Sequence, residues 1–235
     1  MERPAILVEL RPVRAADAEA LFPQIASTSV SDTLVWDGPA SFDEYRDQLA
    51  HREAEVVAGL SHVFTIVVGD AGRAVGSIAL RPKGRSGRAD VGLWVGPDAQ
   101  GLGYGTEAVR LIVAYAFERL ELERVEAYIF VGNVASRRAF EKNGFVLERT
   151  LPGATLKHGS PRDEWLLALE RPPAPPPASQ GEPRAGEGAP LADKGEPRAG
   201  EGAPPADGGE PRAGEGAPPA DEGEPRAGEG DPQAG

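Results

Sequence analysis

Val91-Gly-Leu-Trp-Val-Gly-Pro-Asp-Ala-Gln100-Gly-Leu-Gly103-Tyr-Gly105-Thr-Glu-Ala108 reads as an apolar strand, a glycine-rich turn and the first turn of a helix. Gly101, Gly103 and Gly105 stand at every second position, so backbone N–H groups there are left uncovered by side chains. The start of a helix adds unpaired donors and partial positive charge at the same place. A phosphate or diphosphate suits such a cradle. Spacing excludes two common glycine loops. The dinucleotide fingerprint, counted from Gly101, ends on Thr106 where it needs Gly or Ala. The nucleotide P-loop needs a Gly-Lys-Ser/Thr run, and the chain has none. What remains is Gln-x-x-Gly-x-Gly, filled by Gln100, Gly103 and Gly105.

Working outward, residues 89–95 form the strand that enters the turn. Residues 104–119 form an amphipathic helix leaving it, with Val109, Ile112, Val113 and Ala116 at helical spacing. Residues 124–130 return as a strand. This strand-helix-strand crossover makes the two strands parallel. Upstream, residues 6–14 alternate like a strand, and Asp17 caps a short helix ending at Ile25. Ser41-Phe-Asp-Glu44 is a capping box that opens a second helix. Residues 62–68 and 74–80 are β-rich runs joined by Gly69-Asp-Ala-Gly72, a hairpin signal. Downstream, Asn133 caps a helix stopped by Asn143-Gly144, and residues 145–150 and 164–169 are the last strands. The order predicts an α/β (α+β) fold: a mixed, mostly antiparallel sheet with helices on both faces. With one clear crossover, a repeated dinucleotide-binding architecture does not follow.

Composition divides the 235 residues at about Arg171. Residues 1–171 are long enough to bury one proper core. Residues 172–235 carry −8 of the formal −12, hold 15 of the 23 prolines, and offer Leu191 as their one large aliphatic side chain. Gly-Glu-Pro-Arg-Ala-Gly-Glu-Gly starts at Gly181, Gly195, Gly209 and Gly223, a period of 14 residues. No unit has a hydrophobic face to stack on the next, so a solenoid is excluded and an acidic, disordered tail is expected.

The acidic balance argues against nucleic acid as a partner. Arg81-Pro-Lys83-Gly-Arg85-Ser-Gly-Arg88 is the one local basic cluster, read as a solvated hairpin loop or as a helper in holding phosphate. The chain has no cysteine, and His51, His62 and His158 show no ligand spacing, so no metal is expected. No signal peptide or membrane-length apolar run is visible, which points to a soluble cytoplasmic protein and no membrane partner. The preference for Arg over Lys, with abundant Ala, Gly and Pro, hints at a GC-rich bacterial source.

Three blocks follow the loop strand in order: Gly103-Tyr-Gly-Thr-Glu-Ala-Val-Arg110, Ala114-Tyr-Ala-Phe-Glu-Arg-Leu120 and Gly132-Asn133-Val-Ala-Ser136-Arg-Arg-Ala-Phe-Glu-Lys-Asn-Gly-Phe145. This series resembles the RimJ/RimL-type branch of the GNAT superfamily of N-acetyltransferases across roughly residues 7–170. The resemblance implies acetyl-CoA as acyl donor and an amine as acceptor, N-termini of ribosomal proteins included. It implies that the N–H groups of Gly101, Leu102, Gly103, Tyr104, Gly105 and Thr106 hold the diphosphate, with Gln100 shaping the turn. The strands at 89–95 and 124–130 are expected to splay so that pantetheine inserts between them. The thioester then lies against Leu93, Trp94 and Val95, where backbone donors could stabilise the oxyanion. Asn133 is assigned to the pantetheine arm by resemblance and to a helix cap by its own chemistry. Trp36 lies in the variable segment that walls the acceptor pocket in the family. It is either pocket wall or ordinary core, while Trp94 and Trp165 read as core and Tyr104 as exposed at the loop.

Proton handling departs from the family's commonest pattern. The tyrosine expected seven residues after Asn133 is Phe140, which cannot donate a proton. The RimL-like alternative, a serine three residues after the Asn, is met by Ser136. The RimL-like glutamate base aligns with Thr155, and Asp90, near the start of the loop strand, is the substitute carboxylate, acting through a water. Asp90 also reads as a plain solvated strand-end carboxylate. Glu126, His158, Asp163 and Glu164 are further candidates that sequence does not rank. Without a base, α-amines become favoured acceptors, since they are partly neutral at physiological pH where lysine side chains are not. A small-molecule amine acceptor (antibiotic, polyamine or amino acid) and a CoA-binding regulatory module with a weak catalytic centre stay open. So does the choice of monomer or homodimer.

Overall fold

The computed structural model describes residues 7–26 and 28–173. The repeats and nearly all of the expected disordered tail lie outside these residues. Seven strands form one sheet in the order β1-β2-β3-β4-β5-β7-β6. They are β1 (Val8–Pro12), β2 (His62–Val68), β3 (Arg73–Pro82), β4 (Arg88–Val95), β5 (Arg124–Phe130), β6 (Val146–Lys157) and β7 (Ser160–Glu170). All neighbours are antiparallel except β4 and β5, which are parallel, as the crossover requires.

Helices α1 (Ala18–Ile25) and α2 (Phe42–Val57) cover one face, and α3 (Tyr104–Glu118) and α4 (Val134–Glu141) the other. Strand β2 shows why its sequence carries apolar residues on both faces. Ile66 and Val68 point into the core beneath α3, while Val63 and Val67 point towards α1 and α2. Ala108, Val109, Ile112 and Ala116 of α3 are fully buried against Val91, Val125 and Ala127 of the sheet. Burial of Val109 and of Ile112 contributes roughly 1.5–3 kcal/mol each, and each alanine methyl about 0.8 kcal/mol. The β2–β3 register slips between Ile66 and Val67, and Gly76 beside that bulge lets β3 approach β4 closely. A Cβ on Gly76 would meet the Trp94 carbonyl oxygen at 2.2 Å.

The Ser41 cap forms, its hydroxyl accepting the Glu44 N–H at 3.2 Å, while the Glu44 carboxylate reaches back to the Ala40 N–H. Asp17 differs from expectation. Its carboxylate is turned away from the α1 donors and accepts from the Arg14 N–H, the Thr65 hydroxyl and the Arg11 guanidinium. Three donors, one of them cationic, outbid a single helix N–H. The last hairpin is also longer than its sequence pattern suggests. β6 and β7 are joined by His158-Gly159, both with positive φ (49° and 74°), as a two-residue hairpin turn requires. Thr155 therefore stands on β6.

Candidate active site

The ladder between β4 and β5 lasts for three residues, Arg88–Asp90 opposite Arg124–Glu126, and then stops. Gly96 donates to Val75 and Arg88 accepts from Lys83, so even-numbered β4 residues direct their backbone groups to β3. Val91, Leu93 and Val95 therefore face β5 across the gap without a strand partner. One carbonyl in that gap is used: Val95 accepts from the Gln100 side-chain amide at 3.0 Å. Gln100 thus fixes the turn against the end of its own strand.

Gly101 and Gly103 have φ of 74° and 90°, the left-handed region that side chains with a Cβ avoid. The Gly103 carbonyl takes the Glu107 N–H at 3.1 Å. The N–H groups of Tyr104, Gly105 and Thr106 are those that a helix leaves without an internal partner. A Cβ on Gly105 would lie 3.4 Å from Leu93 Cδ1, so the helix start is seated on β4. Asn143, read from sequence as a helix stop, also donates its side-chain amide to the Thr106 and Ala139 carbonyls at 2.9 and 2.8 Å. It ties the end of α4 to the first turn of α3. Tyr104 packs half-buried on the main core and is not exposed at the loop, because the turn folds the helix start down onto the sheet.

These elements open into one cavity of about 1030 Å³, whose lining includes Leu93–Val95, Gln100, Gly101 and Gly103–Thr106. Asn133 and Ser136 line it at the start of α4, and Trp36 and Tyr45 at another wall. Asn133 Oδ1 accepts the Ser136 N–H at 3.1 Å, so the cap is made while the side-chain N–H₂ stays free for another partner. Ser136 is half-buried and its hydroxyl makes no hydrogen bond among the described residues. Phe140 is fully buried, edge-on to Phe145. Arg138 and Lys142, on the same stretch as Asn133, line the cavity too. Sequence reading passed over these two cations, although their four-residue spacing puts both on one helix face.

Two expected site residues stand apart from the lining, Leu102 and Asp90. Leu102 is the exposed tip of the turn, so its contribution is confined to backbone. Asp90 is held by the Arg81 guanidinium through Nε at 2.8 Å and Nη2 at 2.5 Å. Both bonds end on Oδ2 at the paired end of β4, away from the cavity lining. Arg81 and Lys83 of the basic hairpin are thus spent on carboxylates at the paired end of β4. Glu126 there is buried and takes bonds from Lys83, Arg88 and Arg124. Burial alone would raise its carboxyl, but the bonds from Lys83, Arg124 and Arg88 outweigh that and hold it at about 2.

Trp36 is half-buried and stacks on Tyr45, with ring centroids 6.0 Å apart. Burial, with Asp17 nearby, pushes the Tyr45 phenol well above its ordinary range, so it stays neutral. Lys157 is buried on β6, donates to the Trp36 carbonyl at 3.0 Å and pairs with Asp37 at 2.5 Å. That bond fastens the Trp36 segment to the β6–β7 hairpin. Nothing in the sequence marked Lys157, because its partners are 120 or more residues away. Glu164, opposite Phe130 at the end of β5, is buried, lines the cavity and accepts from the Thr155 hydroxyl at 2.9 Å. Among the described residues, no cluster of three or more His, Asp and Glu side chains could hold a metal ion. No helix there is long and apolar enough to cross a membrane.

Residues 8–146 match the acetyltransferase (GNAT) domain family. The chain is 29% identical to "Probable N-acetyltransferase YjcK" of Bacillus subtilis, over 70% of this chain and 94% of that protein. It is 34% identical to "Putative ribosomal N-acetyltransferase YdaF" of the same organism, over 48% of this chain and 61% of that one. Among solved structures it is similar to Mycobacterium smegmatis RimJ in complex with CoA-disulfide, with TM-score 0.60 and 25% identity, covering 71% of this chain and 83% of that one. With the parted strand pair beside a glycine-rich helix start and a family match over more than half its length, the chain belongs to the GNAT acetyltransferases and is an acyltransferase; its likeness to YdaF and RimJ is consistent with a RimJ/RimL-like branch.

Proposed function

We propose that this acetyltransferase moves the acetyl group of acetyl-CoA directly onto a primary amine, the α-amine of a protein or peptide N-terminus. The observation that carries the reading is the single cavity joining the unpaired edges of β4 and β5 to the free N–H groups at the start of α3. A diphosphate fits the N–H groups of Gly101 to Thr106 by charge and geometry, with Arg138 and Lys142 adding positive charge on the same cavity. The amides of pantetheine bond to the edge of Val91–Val95 as an added strand. The side-chain N–H₂ of Asn133 serves the same arm. The acetyl carbonyl meets backbone donors at Leu93 to Val95, where the oxyanion develops.

The amine attacks the thioester carbon itself, since the chain has no cysteine to carry an acyl intermediate. Ser136 Oγ protonates the departing thiolate, in the position where Phe140 leaves no phenol to do so. The word ribosomal in the YdaF name supports a protein acceptor, and the Trp36–Tyr45 wall bounds the space it enters. CoA-thiol release with a panel of amines tests the reading. N-terminal peptides are expected to turn over faster than polyamines, aminoglycosides or free amino acids. Preference for one of those would replace the peptide acceptor, and tight acetyl-CoA binding with no release would favour a CoA-binding module.

A further inference from the structure

Glu164 stands out among the carboxylates on the side of the sheet where β4 and β5 part. Asp90 is held by Arg81, Glu126 by three cations, Asp37 by Lys157, and Asp163 accepts the Gly153 N–H. Glu164 makes no ion pair among the described residues and takes one hydrogen bond, at Oε1 from the neutral Thr155 hydroxyl. It is 5% exposed and lines the cavity. Among the described residues no buried side-chain oxygen is left without a partner, so Oε2, which has no donor there, keeps contact with the cavity that Glu164 lines. Its place in the fold is also apt. Glu164 pairs in register with Phe130, the last residue of β5, at the wide end of the gap.

The charged groups around it are engaged elsewhere. On β6, Lys157 is bound to Asp37 and the Trp36 carbonyl. On β7, Arg162 lies over the Phe130 ring. Along β5, Glu126 sits at the narrow end, two side chains further on the same edge. From the α1–α2 segment, Asp32 lines the cavity as an exposed carboxylate. On the other walls of the cavity Arg52 of α2 pairs with Glu55, while Arg138 and Lys142 of the α4 stretch stand beside the proposed diphosphate site; among the described residues no cation bonds to Oε2.

Resting on the transferase reading above, we infer that Glu164 is the general base that receives the acceptor ammonium, with Thr155 as its positioning residue. The amine arrives as R–NH₃⁺, and one N–H proton passes to Glu164 Oε2, directly or through one water. The freed lone pair forms the C–N bond at the thioester carbon, and collapse of the tetrahedral species breaks the C–S bond. A second nitrogen proton is lost as the amide forms, and one proton reaches the CoA thiolate through Ser136. Glu164 returns its proton to solvent, so the cycle yields amide, CoA thiol and one proton. Thr155 holds Oε1 and leaves Oε2 aimed at the amine.

The test uses the full chain and its Glu164→Gln variant, which keeps the shape and the Thr155 bond. With an N-terminal peptide as acceptor, kcat/KM at pH 7 is expected to fall by about 100-fold. Acetyl-CoA affinity by calorimetry stays unchanged, and the deficit shrinks as pH rises past the pKa of the amine. Thr155→Val shows the same pH signature with a smaller loss. Equal rates for wild type and Glu164→Gln, or a deficit that does not change with pH, would overturn the inference while leaving the transferase reading intact. A wild-type protein that transfers to no amine overturns both.

Discussion

The two ends of the β4–β5 pair share strands and direction, yet they are built in opposite ways. At one end, three residue pairs close the ladder, and Glu126 gathers Lys83, Arg88 and Arg124 across it. At the other, Val91, Leu93 and Val95 have no partner on β5, and the Thr155 hydroxyl is the one donor to Glu164 among the described residues. A parallel pair left open along both inner edges would leave a buried row of unpaired backbone groups. Here one end is locked so that the other can stand open at no further cost than its own unpaired groups. The locked end contributes stability, and the open end contributes a place for a ligand.

Substitutions separate the two contributions. Gly103→Asp, at the open end, places a carboxylate where the diphosphate is proposed and weakens acetyl-CoA binding by about 100-fold, roughly 3 kcal/mol. Gly103→Ala carries the same strain at φ 90° without the charge, so its smaller loss in calorimetry isolates the electrostatic part. Normal affinity in the Asp variant would break the assignment of the open end. At the locked end, Glu126→Gln removes the acceptor for three cations and lowers unfolding free energy by about 2 kcal/mol, measured by denaturant titration. Acetyl-CoA affinity changes little by comparison.

Acid sharpens the same contrast. Glu126 is held at about 2, below its ordinary 4.5, so its contribution is complete above pH 4.5 and is lost as pH falls towards 2. The Gln variant lacks that share of the acid loss. Lys157→Met unfastens the Trp36 segment from the β6–β7 hairpin. It raises KM for the acceptor several-fold and leaves acetyl-CoA affinity alone, read from initial rates and calorimetry. The smallest effect belongs to removal of residues 172–235. Their composition predicts no packing, so melting temperature and coenzyme affinity stay where they are, and a clear loss of stability would contradict the expected division of the chain.

Much of this was legible in the chain itself. The alternation of β1, the helical spacing of Val109, Ile112 and Ala116, the Ser41 cap and the glycine turn are local signals set by period and turn chemistry. The parallel relation of β4 and β5 follows from the length and hand of the crossover. The misreadings have a common cause. Asp17 and Tyr104 read from their sequence neighbours as a helix cap and an exposed loop residue, and each is governed by a partner on another element, Thr65 and the main core; Arg81, nine residues away on the neighbouring strand, likewise sets which of the two readings of Asp90 its surroundings favour.

Sequence by itself therefore determined the order of elements, the cradle of N–H groups and the absence of a cysteine nucleophile. Each of these depends on residue type and on contacts within a few positions. Tertiary structure alone decided how far β4 and β5 stay paired, which carboxylate is neutralised and which is left facing the cavity. It also decided that Lys157 ties the Trp36 segment to the β6–β7 hairpin. Those outcomes depend on groups dozens of residues apart being brought within hydrogen-bond distance, where desolvation and charge pairing are settled together and no local pattern records the result.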